Sequence, residues 1–247
     1  YSYITHGVPS VGTISYNVTY TSGKGNGFNL VGNPYPSPID WTKFLADNPT
    51  LQSSFYILEQ DGSYHTFSSG SIPMEQGFGV TTSSSTTLTF KESHKTATDA
   101  SLLRPFNPDD APNSVTFTLS DNVNDYSCPT IISFGQGSVT EYDRHEDALY
   151  IKSPINEVPG LYTISSDNQN LCSNSLPSSN ATNVPLKAVA NVTGIYTITT
   201  NNLANLSAYD CICLIDSKTG AVLNNFEDSP SYTFTMEAGQ QKDFIVR

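Results

Sequence analysis

The chain has 247 residues, and its 23 acidic side chains against 11 Lys and Arg give a formal net charge of −12 at pH 7. Such a surface repels nucleic-acid phosphates and anionic lipid headgroups, which argues against both as partners. No apolar run approaches the roughly 20 residues of a membrane-spanning helix. Ser, Thr and Asn number 32, 27 and 21. This polar composition, combined with 14 Tyr and 12 Phe, is typical of a secreted protein made of short strands and turns.

The first half of the chain predicts short strands and one helix. Strand patterns occupy residues 12–20, 28–32, 54–59, 76–82 and 86–90. Gln60-Asp61-Gly62-Ser63 separates two aromatic runs, and Asp-Gly in that position predicts a hairpin. The predicted helix is Trp41–Asp47, which Asp40 can cap and which Asn48-Pro49 ends.

The strand pattern lapses between Ser93 and Asn113, and Pro105, Pro108 and Pro112 lie in the second half of that stretch. Polar, Pro-rich segments without periodicity are typical of domain boundaries. We therefore expect an N-terminal β-domain over residues 1–105 and a C-terminal antiparallel β-sandwich over residues 106–247.

The second half alternates more clearly, beginning with three apolar residues on one face of Val115–Leu119. About nine short strands at 8–15-residue spacing predict a jelly-roll or immunoglobulin-like sandwich. Tyr209–Ile215 is apolar on both faces, which predicts a central strand. The expected fold class is all-β, with two sandwich-like domains in series. Because the chain starts at Tyr1 without Met and ends within a strand pattern, we expect it to be a piece of a longer polypeptide.

The segment Gly27-Phe-Asn-Leu-Val-Gly-Asn-Pro-Tyr-Pro-Ser-Pro-Ile-Asp-Trp41 resembles a GWNLVGNPYPSPIDW signature found in large secreted and cell-surface proteins of Bacteroidetes. Many of those proteins are exported by the type IX secretion system. Further landmarks resemble the family in the same order, at residues 72–78, 141–149, 171–177, 194–198, 231–235 and 244–247. The resemblance implies an exported, non-catalytic module on the cell surface, and it implies no particular ligand. The chain departs from the family in having four Cys and in having His145 and Glu146 in a turn.

Pro34, Pro36 and Pro38 stiffen this signature, because each Pro fixes its own φ and extends the residue before it. Two interpretations of its aromatic side chains are open. Tyr35 and Trp41 either anchor a rigid corner on the core, which we favour, or form a platform on which sugar rings stack.

Motifs of enzymes are missing from the sequence. None of His6, His65, His94 and His145 has a second His or a Cys at i+2 or i+4, and no nucleophile-elbow, zinc-protease or phosphate-loop pattern occurs. We therefore expect no enzymatic activity and no cofactor, with bound calcium as the one open alternative.

Two acidic turns are weak candidates for that calcium, which prefers six to eight oxygen ligands. The first runs from Asp121 to Asp125, and the second contains Asp143, Glu146 and Asp147. Neither has the Gly and distal Glu of the known calcium-loop pattern, and Asx residues are also common in ordinary turns.

Cys128, Cys172, Cys211 and Cys213 are disulfide candidates, because an even number of cysteines in an exported chain suggests bridges. Cys211 and Cys213 are two residues apart on one predicted strand, too distant to bond easily. Two bridges would therefore join them to Cys128 and Cys172 in either order. Buried free thiols are the alternative.

The function expected from these features is that of a non-catalytic extracellular module in adhesion or in the assembly of a surface structure or filament. Its partners would be copies of itself, neighbouring surface proteins or polysaccharide. The alternative is an accessory carbohydrate-binding module of a secreted hydrolase.

Overall fold

The computed structural model describes residues 7–22, 27–58, 64–97, 113–135, 137–178, 183–201, 203–206 and 211–247. Strands make up 51% of the structure and helical segments 6%. The all-β fold class is therefore confirmed. Within the described ranges, no helix is long and apolar enough to cross a membrane.

Contacts between residues divide the chain into two compact units. Unit 1 comprises residues 1–57 and 67–105, and unit 2 comprises residues 58–66 and 106–247. Residues 58–66, which we expected in the first domain, thus group with unit 2. Most of the Pro-rich segment that we expected at the domain boundary, residues 99–113, lies outside the described residues.

The described residues between 7 and 97 form eight strands and one α-helix. They are β1 (Ile14–Val18), β2 (Phe28–Gly32), β3 (Ile39–Asp40), α1 (Trp41–Asp47), β4 (Leu51–Leu58), β5 (Tyr64–Phe67), β6 (Ser71–Ile72), β7 (Gly77–Thr82) and β8 (Thr86–Phe90). A four-stranded sheet has the order β2-β7-β4-β5, while β1 pairs with β8 and β3 pairs with β6. The predicted hairpin is β4 and β5, and its turn lies outside the described residues.

Helix α1 has the predicted bounds, and side chains cap both of its ends. The Asp40 carboxylate accepts a hydrogen bond from Lys43 N at 3.0 Å, and the Asn48 amide donates to Phe44 O at 2.8 Å. A helix of two turns is not stable alone, so packing must hold it. Trp41 and Phe44 supply that packing, since both are fully buried.

The glycine that opens the signature is required by backbone geometry. Gly27 has φ of +81°, and a Cβ at this position would collide with Thr82 O on β7. The conformation disfavours L-residues, and the close approach leaves no room for any side chain. Gly27 thereby lets the chain enter β2 directly against the end of β7.

Eleven strands form one sheet in the second half of the chain. They are β9 (Ser114–Asp121), β10 (Ser127–Gly135), β11 (Ala148–Leu149), β12 (Gly160–Ile164), β13 (Asn170–Pro177), β14 (Val184–Val189), β15 (Gly194–Asn201), β16 (Cys213–Asp216), β17 (Val222–Asn225), β18 (Ser231–Met236) and β19 (Gln241–Val246). The order is β17-β16-β19-β14-β12-β13-β10-β9-β15-β18, and β11 pairs with β13 beside this path. Strands β10 and β13 run parallel, whereas the other neighbours in this order are antiparallel.

This large sheet is nearly closed, because β17 and β18, at opposite ends of the strand order, contact each other. The predicted apolar face of β9 lies in the core, where Val115, Phe117 and Leu119 are at most 1% exposed. Strand β16 is next to the end of the order and not central as predicted. Its Leu214 and Ile215 are nevertheless both buried, which explains the apolar pattern on both faces.

Replacement of Gly27 by Ala should destabilise unit 1 by at least about 3 kcal/mol, because a positive φ and a backbone clash act together. Gly12 is the matched control, since it has φ of +78° but no atom within 4 Å of the position that a Cβ would occupy. Gly12→Ala should cost about 1 kcal/mol, which is the conformational part alone. Urea unfolding measures both, and equal losses would show that the contact with Thr82 is unimportant.

Candidate functional site

The signature forms a corner that is organised by the side chain of Asn33. The two hydrogens of its amide nitrogen are shared among three carbonyl oxygens, namely Ser37 O at 2.9 Å, Ile72 O at 3.2 Å and Pro73 O at 2.9 Å. Its amide oxygen accepts from Tyr35 N at 3.1 Å. Asn33 is 4% exposed, so these bonds replace water almost completely. The corner is therefore tied to the chain between β6 and β7.

The two aromatic residues of the signature are enclosed by the protein. Trp41 is 0% exposed and Tyr35 is 1% exposed. The Trp41 indole nitrogen donates to Ser53 O at 2.7 Å, and its ring centroid lies 4.9 Å from that of Phe55. Neither ring presents a face to a sugar, so the structure agrees with the rigid corner and disagrees with the stacking platform.

The Tyr35 hydroxyl connects the corner to the segment before β1 by donating to Gly12 O at 2.6 Å. The Lys95 ammonium lies 4.5 Å from the centre of the Tyr35 ring, which is a cation–π distance. Burial, followed by the nearby Glu92 carboxylate, raises the pKa of Tyr35. The hydroxyl therefore stays protonated and can donate this bond throughout the physiological range.

A polar cluster that sequence reasoning missed joins the end of α1 to the segment after β8. His94 is 1% exposed, and its Nε2 lies 2.7 Å from Asp47 Oδ2 while its Nδ1 accepts from Lys91 N at 3.1 Å. Lys91 Nζ lies 2.9 Å from the other Asp47 oxygen. The hydrogen bond from His94 is the main reason why the pKa of Asp47 is lowered. Because 47 residues separate His94 from Asp47, no local motif signals this pair.

The second acidic turn is used for internal hydrogen bonds. Asp147 is 1% exposed, and its two oxygens accept from Ser175 N and from Asp143 N, each at 2.7 Å. Asp143 Oδ1 accepts in turn from His145 N at 2.8 Å. Burial, which outweighs these hydrogen bonds, raises the pKa of Asp147 to about 6. These bonds fix the turn against β13 and direct both Asp147 oxygens towards backbone donors.

In the first acidic turn, Asp121 and Asp125 differ in their surroundings. Asp121 is 9% exposed, and its Oδ1 accepts from Val123 N at 2.7 Å and from Asn124 N at 2.8 Å. Asp125 is exposed. Across the described residues, no group of three or more His, Cys, Asp or Glu side chains is arranged to hold a metal ion. Any cation here would need amide, carbonyl or water oxygens as well.

The four cysteines, all among the described residues, are thiols, so the expected bridges are not formed in the structure. Along the sheet, β19, β14 and β12 separate β16, which begins at Cys213, from β13, which carries Cys172. The buried thiols bond to the backbone instead, Cys128 to Leu161 O at 3.7 Å and Cys172 to Leu149 O at 3.2 Å. Burial, followed by the adjacent Cys211 thiol, raises the pKa of Cys213 to about 11.

A cavity of about 160 Å³ has Thr116, Cys172 and Asn201 among its lining residues. Pockets that enclose organic ligands usually measure about 300–1,000 Å³. This cavity is smaller than that range. Its lining residues are far apart in the chain, so sequence patterns gave no sign of it.

Comparisons of the chain with protein-family models, with curated proteins and with solved structures found no match.

Asn33→Asp should be more damaging than Asn33→Ala. Alanine leaves buried carbonyl groups without a donor, at a cost of about 2–4 kcal/mol. Aspartate instead places a carboxylate oxygen against three carbonyl oxygens, which adds repulsion to that loss. Asn17, an exposed residue on β1, is the control, and both of its substitutions should change the free energy of unfolding by less than about 0.5 kcal/mol. Denaturant titration would contradict the role of Asn33 if aspartate were tolerated better than alanine.

Asp147 should make stability fall as pH rises from about 4 to about 6. In this window the folded protein keeps a proton on Asp147 that the unfolded chain has released. A rise in pH therefore stabilises the unfolded state relative to the folded state. The loss should be about 1–2 kcal/mol after allowance for solvent screening. Asp147→Asn should remove this slope whatever its effect on absolute stability, whereas Asp228→Asn should retain it. Thermal unfolding at a series of pH values measures the slope, and identical curves for wild type and Asp147→Asn would contradict the assignment.

Proposed function

We propose that the chain is a non-catalytic extracellular module that acts on the cell surface, in adhesion or in the assembly of a surface structure, through contact with copies of itself or with neighbouring surface proteins. The resemblance of residues 27–41 to the signature of exported Bacteroidetes proteins supports the location. Burial of Tyr35 and Trp41 supports a structural role for that signature. The observation that carries the assembly is the exposed Leu30 on strand β2.

Strand β2 lies at an edge of its sheet, where the Asn29 side chain bonds to the backbone of Thr19 but no further strand is paired among the described residues. It is the last strand in the order β2-β7-β4-β5, so one of its backbone edges has no strand partner among the described residues. Its residues Phe28–Gly32 include no charge and no Pro, which are the usual means of preventing strands from adding to an edge. An edge of this kind can accept a strand from a second molecule.

Leu30 adds apolar surface to this edge. Its side chain is 70% exposed, whereas the next residue, Val31, is 7% exposed and lies in the core. Its partner in the sheet is Gly79, which has no side chain to cover it. The ring of Phe28 occupies the space where a side chain on Gly79 would lie. Leu30 is therefore available for contact with another molecule.

Unit 2 offers a natural comparison. Val222 on the end strand β17 is 63% exposed. Strand β17, however, contacts β18 at the other end of the strand order, and Asn224 in β17 donates to Ser229 O at 2.9 Å. Val222 is therefore exposed on a strand that already has a neighbour at its outer edge, whereas Leu30 is exposed on a strand that has none among the described residues. For this reason we assign assembly to β2.

Sedimentation over a range of protein concentrations tests this proposal with Leu30→Lys and the matched control Val222→Lys. Wild type and the control should self-associate with similar constants, whereas Leu30→Lys should weaken association at least about tenfold, or 1.4 kcal/mol. Thermal unfolding of each variant shows whether the fold is retained. A wild-type chain that stays monomeric at high concentration, or equal losses in the two variants, would contradict assembly through β2.

The carbohydrate-binding alternative depends on a different observation. Tyr16 on β1 and Tyr20, two residues after the end of β1, are 41% and 42% exposed. Exposed aromatic rings can pack against sugar rings. Polysaccharide binding that is lost in Tyr16→Ala with Tyr20→Ala, but retained in Leu30→Lys, would favour this alternative over assembly.

A further inference from the structure

The turn between β9 and β10 contains a buried carboxylate of which only one oxygen is hydrogen-bonded. Asp121 ends β9 on the same side as Val115, Phe117 and Leu119, which face the core. Its Oδ1 accepts two backbone hydrogen bonds, from Val123 N and from Asn124 N. Its Oδ2 is buried and has no hydrogen-bond partner. Buried carboxylate oxygens are normally paired, because an unpaired one loses its hydration without compensation.

A second unsatisfied atom lies in the same turn. The side-chain nitrogen of Asn124 is buried and also lacks a hydrogen-bond partner. The oxygen and nitrogen of an amide have nearly the same shape, so their positions are assigned from their partners. The side-chain nitrogen of Asn124 has no such partner. Rotation of the amide by half a turn places an oxygen at that position without breaking a hydrogen bond made by the nitrogen.

Nearby polar groups of the protein are already engaged with other partners. Asn122 Oδ1 accepts from Ile195 N at 2.8 Å. Tyr196, which is paired with Asp121 across the sheet, donates its hydroxyl to Val192 O at 2.6 Å. The pKa of Tyr196 is raised, mainly by burial and to a smaller extent by the nearby Asp121 carboxylate. Neither Asn122 nor Tyr196 carries a positive charge that could pair with the Asp121 carboxylate.

We propose that Asp121, with Asn124 and Asp125, binds a calcium ion in this turn. Oxygen ligands and a negative charge suit a hard divalent cation, and Ca²⁺ tolerates irregular coordination completed by water. The observation that carries the site is the unpaired Oδ2 of Asp121. Since two carboxylates and one amide are few ligands, the dissociation constant should be about 10⁻⁴–10⁻³ M, as in other extracellular modules.

Asp216 provides a matched control for the turn geometry. Its Oδ1 accepts from Lys218 N at 3.0 Å and from Thr219 N at 2.8 Å, which reproduces the two backbone bonds of Asp121. Hydrogen bonds, the strongest from Thr219, lower the pKa of Asp216, so its carboxylate is charged at neutral pH. It differs in that neither of its oxygens is a buried atom without a partner among the described residues.

The test is a Ca²⁺ titration of chelator-treated full chain, followed by thermal unfolding and by terbium luminescence. Tb³⁺ substitutes for Ca²⁺, and Tyr196 and Tyr126 near the turn should sensitise its emission. Millimolar Ca²⁺ should raise the Tm by a few degrees and displace Tb³⁺. Asp121→Asn should abolish both effects, Asp125→Asn should weaken Ca²⁺ binding about tenfold, and Asp216→Asn should leave both unchanged.

Several results would overturn the calcium site. One is a Tm that does not respond to Ca²⁺ together with no sensitised emission, in which case water occupies the position beside Oδ2. Another is an equal loss in Asp216→Asn and Asp121→Asn, which would indicate general attraction of cations to an acidic surface. If Asp121→Asn fails to fold, Asp125→Asn still decides the matter, because its exposed side chain is not needed for folding.

Discussion

The side-chain amide of Asn33 is the interaction on which the described part of unit 1 depends most. It bonds to three carbonyl oxygens, and two of these bonds, to Ile72 at the end of β6 and to the following Pro73, are buried away from solvent. By fixing that segment against the corner, it sets the direction in which the chain leaves the proline run. Asp40 then caps α1, and Trp41 enters the aromatic core.

The same constraint explains why the signature combines glycine, asparagine, proline and tryptophan. Gly27 permits a backbone approach that any side chain would block, and Asn33 satisfies polar groups that the corner buries. Prolines lower the entropy that the extended segment loses on folding, and Trp41 fills the core beneath it. Each of these residue types answers a local physical requirement of the corner, so they have a structural role, whereas Leu30 of the same signature remains exposed.

The edges of the sheets differ between the two units. In unit 1 the strand order ends at β2 with an exposed Leu, whereas in unit 2 the two end strands contact each other and nearly close the sheet. In a closed sheet the backbone N–H and C=O groups of the end strands can bond within the molecule. At an open edge these groups are available to a strand of a partner. The turn after β9 adds a charged oxygen that the protein does not satisfy. Assembly and cation binding are thus proposed where the fold leaves groups unpaired.

Much of the local structure was determined by the sequence itself. Trp41–Asp47 has the predicted bounds because Asp40 and Asn48 cap it through bonds to residues three and four positions away, and β8 has the predicted bounds because its alternating pattern is local. The alternating pattern of Val115–Leu119 likewise predicted which face of β9 lies in the core. Such features follow from neighbouring residues, which is why a single sequence suffices to predict them.

Tertiary structure alone decided which distant groups meet. The parallel pairing of β10 with β13, the position of β16 beside the end of the sheet, and the pair of His94 with Asp47 all join residues far apart in the chain. The bonding of Cys128 and Cys172 to backbone carbonyls, in place of the expected bridges, likewise depends on strand order. Among the acidic candidates, sequence could not separate Asp147, whose oxygens are both bonded, from Asp121, whose Oδ2 is not, because the hydrogen bonding of a buried group depends on which distant residues the fold places beside it.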